Sequence, residues 1–464
     1  MHRYSPFVVF MGLAGVLSNA FGALRGVLLE GANTQTVDGI LKDNFEAHIS
    51  EKVNQKNPWK DVFKTVDVPY GGRETVYTAH VSRNTSPMFV GEDGAMAEAG
   101  AQGHVNVRVT QKKLMGRVRI TPEAIYDTSK GEYAWKQARK DEMDGLIKDL
   151  ARREEYALTL DGRGVLARVD DTTPDGSTTL TVDAPGGITN DNFGNRFIMV
   201  GMYVAFVDPA TGALRSGIRK VASVSSDGTS IVLDSAAGST VADNDYIVQA
   251  ANASVTDILD TSFENAFWGV VGLVDDGTYR DNYFEVDRDL FSAFNAYVSA
   301  ATGALSVDVM QLSADVVDQK LNGKTNLLAM HHAIRRIYIT LLNSDRRYAG
   351  RDLQKPDGGT TAFTQGDLTM GEVPIKALRD LPLDMVFGLD TEQHEAVSYV
   401  SEKGKWVDED GRILVRVGTG SSARDAFEAW YRIRKQNHLR NPAVDWRLDG
   451  ITGQTIVIVR PAGD

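Results

Sequence analysis

A long helical pattern between Gly131 and Asp161 constrains the fold more than any other part of the sequence. Apolar residues recur there at three- and four-residue spacing, which is typical of one helix face; they are Met143, Leu146, Ile147, Leu150, Ala157 and Leu158. Ser129 and Glu132 fit a capping box, and Gly162 and Gly164 suit the helix end. Such a helix would run about 45 Å at 1.5 Å per residue. Its narrow apolar stripe predicts a building block of thin, flat form rather than a compact enzyme.

Composition excludes several kinds of protein. At 464 residues, with 42% apolar and 24% charged residues, the chain is expected to fold into more than one domain. It contains no cysteine, which rules out disulfides, thiolate zinc sites, iron–sulfur clusters and cysteine nucleophiles. The formal net charge of −12 argues against a basic surface that wraps nucleic acid and against a polybasic membrane patch.

The N-terminal segment allows two interpretations. Met1–Ala23 has the layout of a secretory signal, with an apolar run followed by Ser18, Asn19 and Ala20. The alternative is an arm that packs on a neighbouring molecule. Val37–Asn57 fits a short amphipathic helix, yet the segment before Trp59 carries too little apolar material to form its own core. We therefore favour the arm.

Residues Val62–Thr121 predict a long two-stranded hairpin, because apolar and polar positions alternate in two runs. Between the runs lies Ser82–His104, a stretch rich in glycine and alanine that predicts a flexible tip. Isolated two-stranded hairpins are marginal in water. We therefore expect this hairpin to lie on another subunit.

The rest of the chain divides into a β-rich part and a mixed part. Short apolar runs with regular turn signals predict a small β-barrel or sandwich over Val165–Ala250. Helices are predicted at Thr261–Val274, Val307–Leu321 and Ile334–Leu342, and strands at Asn326–Met330, Thr369–Ile375, Met385–Leu389 and Thr455–Val459, with a polar loop at Asp352–Gly366. The fold class is α+β.

No enzyme site emerges from the motifs. Asn322–Thr325 resembles the end of a phosphate-binding loop, but Asp318 replaces the first glycine. His331 and His332 are adjacent and fit a strand-to-helix junction better than a metal site. The acidic groups are predicted to be solvated turns; they are Asp170 and Asp171, Asp275 and Asp276, and Asp408–Asp410. The basic, aromatic segment Arg424–Arg440 suits either nucleic acid or the acidic surface of a neighbouring subunit, and we favour the latter.

The order of these parts resembles the major capsid protein of tailed bacteriophages. Arg117–Ala167 is similar to that family's strand, spine helix and glycine-bearing loop. Gly371–Asp390 is similar to its late strand, turn and strand, and Trp430–Thr452 to its return into the peripheral domain. The resemblance covers most of Val37–Arg460, apart from the β-rich part.

The resemblance implies a tailed-phage capsid fold with an inserted small all-β domain. Its parts would be an N-terminal arm (1–61), an extended hairpin loop (62–121), a peripheral domain with the spine helix (122–164), the β-rich insertion (165–250), an axial domain with returning peripheral strands (251–420) and a peripheral return (421–464). The expected inter-subunit contacts are Arg73, Glu92, Asp93, Arg117, Arg119, Arg432 and Arg434.

The implied function is structural: self-assembly into hexamers and pentamers of an icosahedral head that encloses double-stranded DNA. Assembly in the host bacterial cytoplasm, virion location, no cofactor, no metal, no catalytic residue and no membrane are expected. Partners would be scaffolding, portal and decoration proteins, with non-specific DNA contact. Because Asp67–Gln111 contains no lysine, the isopeptide that some members form there is not expected. The alternatives are a secreted carbohydrate-active or binding protein and an encapsulin-like compartment shell.

Overall fold

A computed structural model describes residues 62–67, 74–124, 138–188, 193–346, 369–370, 373–407, 413–418 and 424–453. The predictions for the N-terminal arm, Arg73, the loop Asp352–Gly366, Asp408–Asp410 and the strand Thr455–Val459 lie outside these residues.

The described residues contain both strands and α-helices. The strands are β1 (Lys64–Asp67), β2 (Glu74–Ser82), β3 (Gly103–Thr110), β4 (Lys112–Ile120), β5 (Val165–Val169), β6 (Thr179–Asp183), β7 (Tyr203–Val207), β8 (Arg219–Val224), β9 (Ser230–Leu233), β10 (Tyr246–Gln249), β11 (Asn282–Tyr283), β12 (Val286–Asp287), β13 (Tyr297–Ala304), β14 (Leu327–His331), β15 (Thr369–Met370), β16 (Val373–Leu378), β17 (Val386–Leu389), β18 (Ala396–Trp406), β19 (Val415–Arg416), β20 (Phe427–Leu439) and β21 (Trp446–Thr452). The helices are α1 (Ala138–Thr159), α2 (Val270–Leu273), α3 (Val307–Leu321) and α4 (His332–Arg346).

Helix α1 covers most of the predicted long helix, whose first residues lie outside the described ranges. Leu146 and Leu150 of the predicted apolar stripe pack on strand β4 at Gly116, where a side chain would collide with them. Helix α1 ends just before Gly162 and Gly164, which have φ of 85° and 75°. These left-handed conformations favour glycine, so the predicted helix end is confirmed.

The described strands include two large sheets. One has the order β1-β18-β20-β19, with β4 also paired to β20. The other has the order β13-β21-β17-β14-β16-β15. The predicted return segment 421–464 thus contributes β20 to the first sheet and β21 to the second.

Helices α3 and α4 cover the same face of the second sheet. Met310 of α3 and Tyr338 of α4 pack in one apolar cluster with Leu328, Val386 and Trp446 from three of its strands. Alternate residues of the same strands, such as Ala329 and Phe387, join a different cluster. The sheet therefore lies between two apolar layers. Both helices confirm the sequence prediction, and α4 extends beyond Ile334–Leu342 at each end.

A glycine inside the second sheet allows a test of this packing. A Cβ on Gly388 would lie 2.0 Å from the ring of Trp446, which is held by its Nε1 donating to Thr325 Oγ1 at 2.8 Å. We expect G388A to reduce the free energy of unfolding by about 1–3 kcal/mol or more, as overpacking does. The control is G145A in α1, where the added methyl meets no atom within 4 Å and should stabilise by about 0.5–1 kcal/mol. Urea unfolding measures both; equal stability of G388A and the parent would contradict the packing.

Residues 165–249 form a closed barrel with strand order β10-β5-β6-β9-β8-β7. Its interior contains apolar side chains with at most 1% exposure, including Leu180, Val204, Phe206, Ile231 and Ile247. Strands β6 to β10 match the short apolar runs of the sequence, which are Thr178–Val182, Phe197–Val207, Ile218–Val224, Ser230–Leu233 and Tyr246–Val248, except that β7 starts at Tyr203 and not at Phe197. The sequence predicted either a small β-barrel or a sandwich here, and the structure shows the barrel.

Two predictions in the following segment are wrong. Only Val270–Leu273 of the predicted helix Thr261–Val274 is helical. Glu264 has a φ of 55°, and Gly269 lies so close to the chain that a Cβ would be 2.4 Å from the carbonyl oxygens of Ala157 and Leu160. Tight packing on the end of α1 therefore replaces the helix. Asp275 is also not a solvated turn, because it is fully buried against Arg447.

Candidate interaction surface

The base of the predicted hairpin packs on its own chain. Strand β2 pairs with β3 from Glu74–Thr110 at the base to Ser82–Gly103 at the far end. Val107 and Val109 are fully buried in the main apolar cluster. Tyr77 Oη donates a hydrogen bond to Leu439 O at 3.4 Å. A two-stranded hairpin is thus confirmed, but over Glu74–Thr110 and not over the whole of Val62–Thr121, because β1 pairs with β18 and β4 pairs with β20 in the first sheet. Its base does not need another subunit.

The far end of the hairpin, residues 83–102, is called the hairpin tip. It contains no regular secondary structure and is closed by Asn84 Nδ2, which donates to Gly100 O at 2.9 Å. Four large apolar side chains are exposed there: Met88, Phe89, Val90 and Met96. Phe89 is fully exposed and Met96 is 90% exposed. Large apolar side chains clustered at the end of a hairpin are typical of a contact with another protein.

Four of the predicted contact residues are exposed. Glu92 and Asp93 lie in a turn at the end of the tip, where Gly94 N donates to Gly91 O. Arg117 and Arg119 project from β4 on the side opposite Val118 and Ile120, because side chains alternate along a strand. The structure therefore separates these residues into a tip group and a β4 group.

The basic segment Arg424–Arg440 has carboxylate partners within its own chain. The Arg432 guanidinium pairs with Glu402, and Lys435 pairs with Glu154 of α1. An acidic neighbouring surface is therefore not needed to explain these charges. Arg432 and Arg434 lie on β20, and their role between subunits stays a prediction.

A buried charge cluster that the motifs did not reveal joins α1, the barrel and the second sheet. Arg379 donates from Nη2 to Glu155 at 2.8 Å and from Nε to Asp380 at 3.1 Å. Asp380 also lies 3.9 Å from Arg196, which donates to Leu381 O at 3.0 Å. The sequence contained one clue to this cluster. Glu155 precedes Leu158 by three residues and therefore shares the apolar face of α1.

Burial, together with the nearby Asp380 carboxylate, raises the pKa of Glu155 to about 7, although Arg379 opposes the shift. A carboxyl with a raised native pKa binds its proton more tightly in the folded state, so its contribution to stability is greatest at low pH and is lost as the pH rises towards 7. The measured quantity is the difference in unfolding free energy between the parent and E155Q, taken as parent minus variant. We expect this difference to fall by about 3 kcal/mol from pH 4.5 to 7.5.

Denaturant unfolding across this pH range measures the difference. E142Q, which removes a carboxylate from an exposed position of the same helix, is the matched control. A difference between the parent and E155Q that does not change with pH would contradict the assignment.

The motifs weighed for chemistry have structural roles. Asn322 caps α3 in a left-handed conformation, and the backbone N–H of Lys324 donates to Asp390 at 2.8 Å. His331 ends β14 and His332 begins α4, as predicted. Burial lowers the pKa of His331 to about 3, with Arg196 adding to the shift.

Among the described residues there is no group of three potential metal ligands, and none of their helices combines the length and apolar character needed to span a membrane.

Comparison with known proteins gives a structural match only. No protein-family model and no curated protein sequence matches the chain. The capsid asymmetric unit of cyanophage A-1(L) aligns with a TM-score of 0.51 at 10% identity, covering 91% of this chain and all of the phage chain. The capsid of a native GTA particle aligns over 91% of this chain and all of its own at 9% identity, with a TM-score of 0.48. An encapsulin complex of Synechococcus elongatus aligns over 92% of this chain and 99% of its own at 8% identity, with a TM-score of 0.44.

At such low identity, a structural match establishes the fold, and the cyanophage capsid alignment is the one that does so here. The chain therefore has the fold of the tailed-phage major capsid proteins that its sequence resembles.

Proposed function

We propose that this chain is a major capsid subunit that assembles into hexamers and pentamers of an icosahedral phage head around double-stranded DNA. The observation that carries the proposal is the alignment with the cyanophage capsid chain along its whole length. The exposed apolar hairpin tip adds a surface suited to a second copy. In this proposal the subunit is structural and catalyses no reaction.

The architecture supports a division into the expected parts. Helix α1 would be the spine of the peripheral domain, and the first sheet would belong to the same domain. The second sheet with α3 and α4 would be the axial domain that meets its copies around the five- and six-fold axes. The barrel is built from one continuous stretch, residues 165–249, as an insertion between two halves of another fold would be.

The proposal includes further partners and a location. The subunit would assemble in the host bacterial cytoplasm, guided by a scaffolding protein and a portal, and would reside in the virion with or without decoration proteins. The net charge of −12 supports contact with DNA that is weak and non-specific, because an acidic lining does not hold a packaged genome.

Electron microscopy of the protein, expressed alone and together with the genes that flank its own, tests the proposal. Closed shells, tubes, or rings of five and six are expected. Uniform single molecules in both conditions would overturn it and favour the secreted binding protein. Shells that enclose a cargo enzyme and no DNA would instead identify an encapsulin-like compartment.

A further inference from the structure

Two histidines face each other across the hairpin, just before the tip begins. His80 of β2 pairs directly with His104 of β3 in the ladder, and both side chains are exposed. Their ring centroids lie 5.2 Å apart, with an angle of 61° between the ring planes. Directly opposed residues of an antiparallel pair hold their Cβ atoms about 4.5–5.5 Å apart. The backbone ladder therefore holds the two imidazoles side by side in contact with solvent.

This spacing suits two ligands of one metal ion. Imidazole nitrogens bind Zn²⁺ at about 2.0–2.1 Å, most often in tetrahedral geometry. Two rings that bind one ion in this geometry have their centroids about 5 Å apart. The observed centroid separation of 5.2 Å therefore allows both rings to direct a nitrogen towards a shared ion by rotation of the side chains alone.

A third side chain orients His80 for this role. His80 Nε2 is hydrogen-bonded to Gln102 Oε1. An amide oxygen only accepts hydrogen bonds, so Nε2 of the neutral ring carries the proton and Nδ1 presents a lone pair. Histidines that bind metals almost always donate their second ring N–H to an oxygen in this way, which fixes the tautomer and the ring orientation. Gln102 is thus placed as an outer partner of the two ligands.

The pairs that flank the histidines in the ladder carry no charge. Thr78 pairs with Asn106 on one side, and Ser82 pairs with Gly103 on the other. Neither pair opposes the binding of a cation. Imidazole suits Zn²⁺, Cu²⁺ and Ni²⁺, whereas Mg²⁺ and Ca²⁺ take oxygen ligands. The two histidines therefore favour a divalent transition-metal ion, with water in its remaining coordination positions.

We propose that His80 and His104 together bind a divalent transition-metal ion, such as Zn²⁺ or Cu²⁺, which links β2 to β3. The pair is the last one before the register shifts between His80 and Ser82. The ion closes the loop of residues 81–103, which contains the tip, and keeps the end of a marginal two-stranded ladder from fraying. This site goes beyond the proposed function, because it needs no assembly.

Isothermal titration of the full-length protein with ZnCl₂ and CuCl₂ tests the site. We expect H80Q and H104Q each to weaken binding at this site by about 100-fold or more, because the second ligand of a chelating pair binds at high effective concentration. Cu²⁺ should bind more tightly than Zn²⁺. H332Q is the matched control, because it removes another histidine that is not fully buried, and it should bind both ions as the parent does.

Hydrogen exchange of the parent protein, with and without ZnCl₂, locates the ion without any variant. Slower exchange is expected near both histidines, in residues 78–82 and 103–106, and unchanged exchange in the barrel. Equal affinity of the parent, H80Q and H104Q, or exchange near the histidines that does not respond to Zn²⁺, would overturn the inference. Neither measurement depends on shells, so a protein that binds Zn²⁺ here but never assembles would contradict the proposed function and leave this site standing.

Discussion

Removal of the hairpin tip should leave a folded subunit that no longer forms closed shells. The shortest excision removes residues 85–99 and joins Asn84 to Gly100 with a short glycine linker, because these two residues are already bonded across the base of the tip. The apolar tip residues Met88, Phe89, Val90 and Met96 are exposed and are absent from the chain's apolar clusters. Their loss should change the free energy of unfolding by about 0.5 kcal/mol or less.

Sedimentation and electron microscopy measure assembly, and thermal unfolding measures the fold. The control keeps the length of the tip but replaces residues 85–99 with glycine and serine, so that length and apolar character are tested separately. We expect both variants to remain as unassembled subunits. Normal shells from the excised variant would show that the tip makes no essential contact.

Loss of the buried Arg447 charge should cause the largest loss of stability. Arg447 of β21 is fully buried, and its guanidinium lies against α2. Its guanidinium contacts Asp275 at 3.0 Å and Asp449 at 2.8 Å, and donates to the carbonyl oxygens of Val271 and Val274 at 3.1 and 2.6 Å. R447M retains much of the volume but leaves Asp275 as a buried charge without this partner. Breaking such a pair costs about 3–5 kcal/mol.

Denaturant unfolding of the unassembled, tip-excised subunit measures this loss without interference from shell contacts. R416M is the matched control, because Arg416 pairs with Asp425 at 3.8 Å with both side chains more than 60% exposed. Exposed pairs contribute about 0–1 kcal/mol. A loss for R447M as small as that for R416M would contradict the assigned role of the network.

Local signals in the sequence predicted the features that depend on neighbouring residues. The end of α1 at Gly162, the barrel strands separated by regular turns, and helix α3 all depend on short-range patterns. The loop at the end of the hairpin could also be predicted, because a glycine- and alanine-rich stretch separates two alternating runs.

Distant partners account for what the sequence did not show. The local sequence around Asp275 suggests a solvated turn, because its partner Arg447 comes 172 residues later. Glu155 resembles one more charge on a long charged helix, although Arg379 reaches it from a separate sheet. A cavity of about 540 Å³ at the hairpin base could not be predicted either, because its wall combines residues from β3 and β4, the barrel and β11.

The pairing of β4 with β20 has a consequence for protein synthesis. Residue Ile120 pairs with Phe427, more than 300 residues later, whereas the barrel is complete within residues 165–249. Because domains form as the chain emerges from the ribosome, the barrel can fold while the rest is still being translated. Strand β4 has no partner to pair with until β20 has been synthesised. Synthesis of β20, rather than any local folding step, therefore decides when the first sheet can be completed.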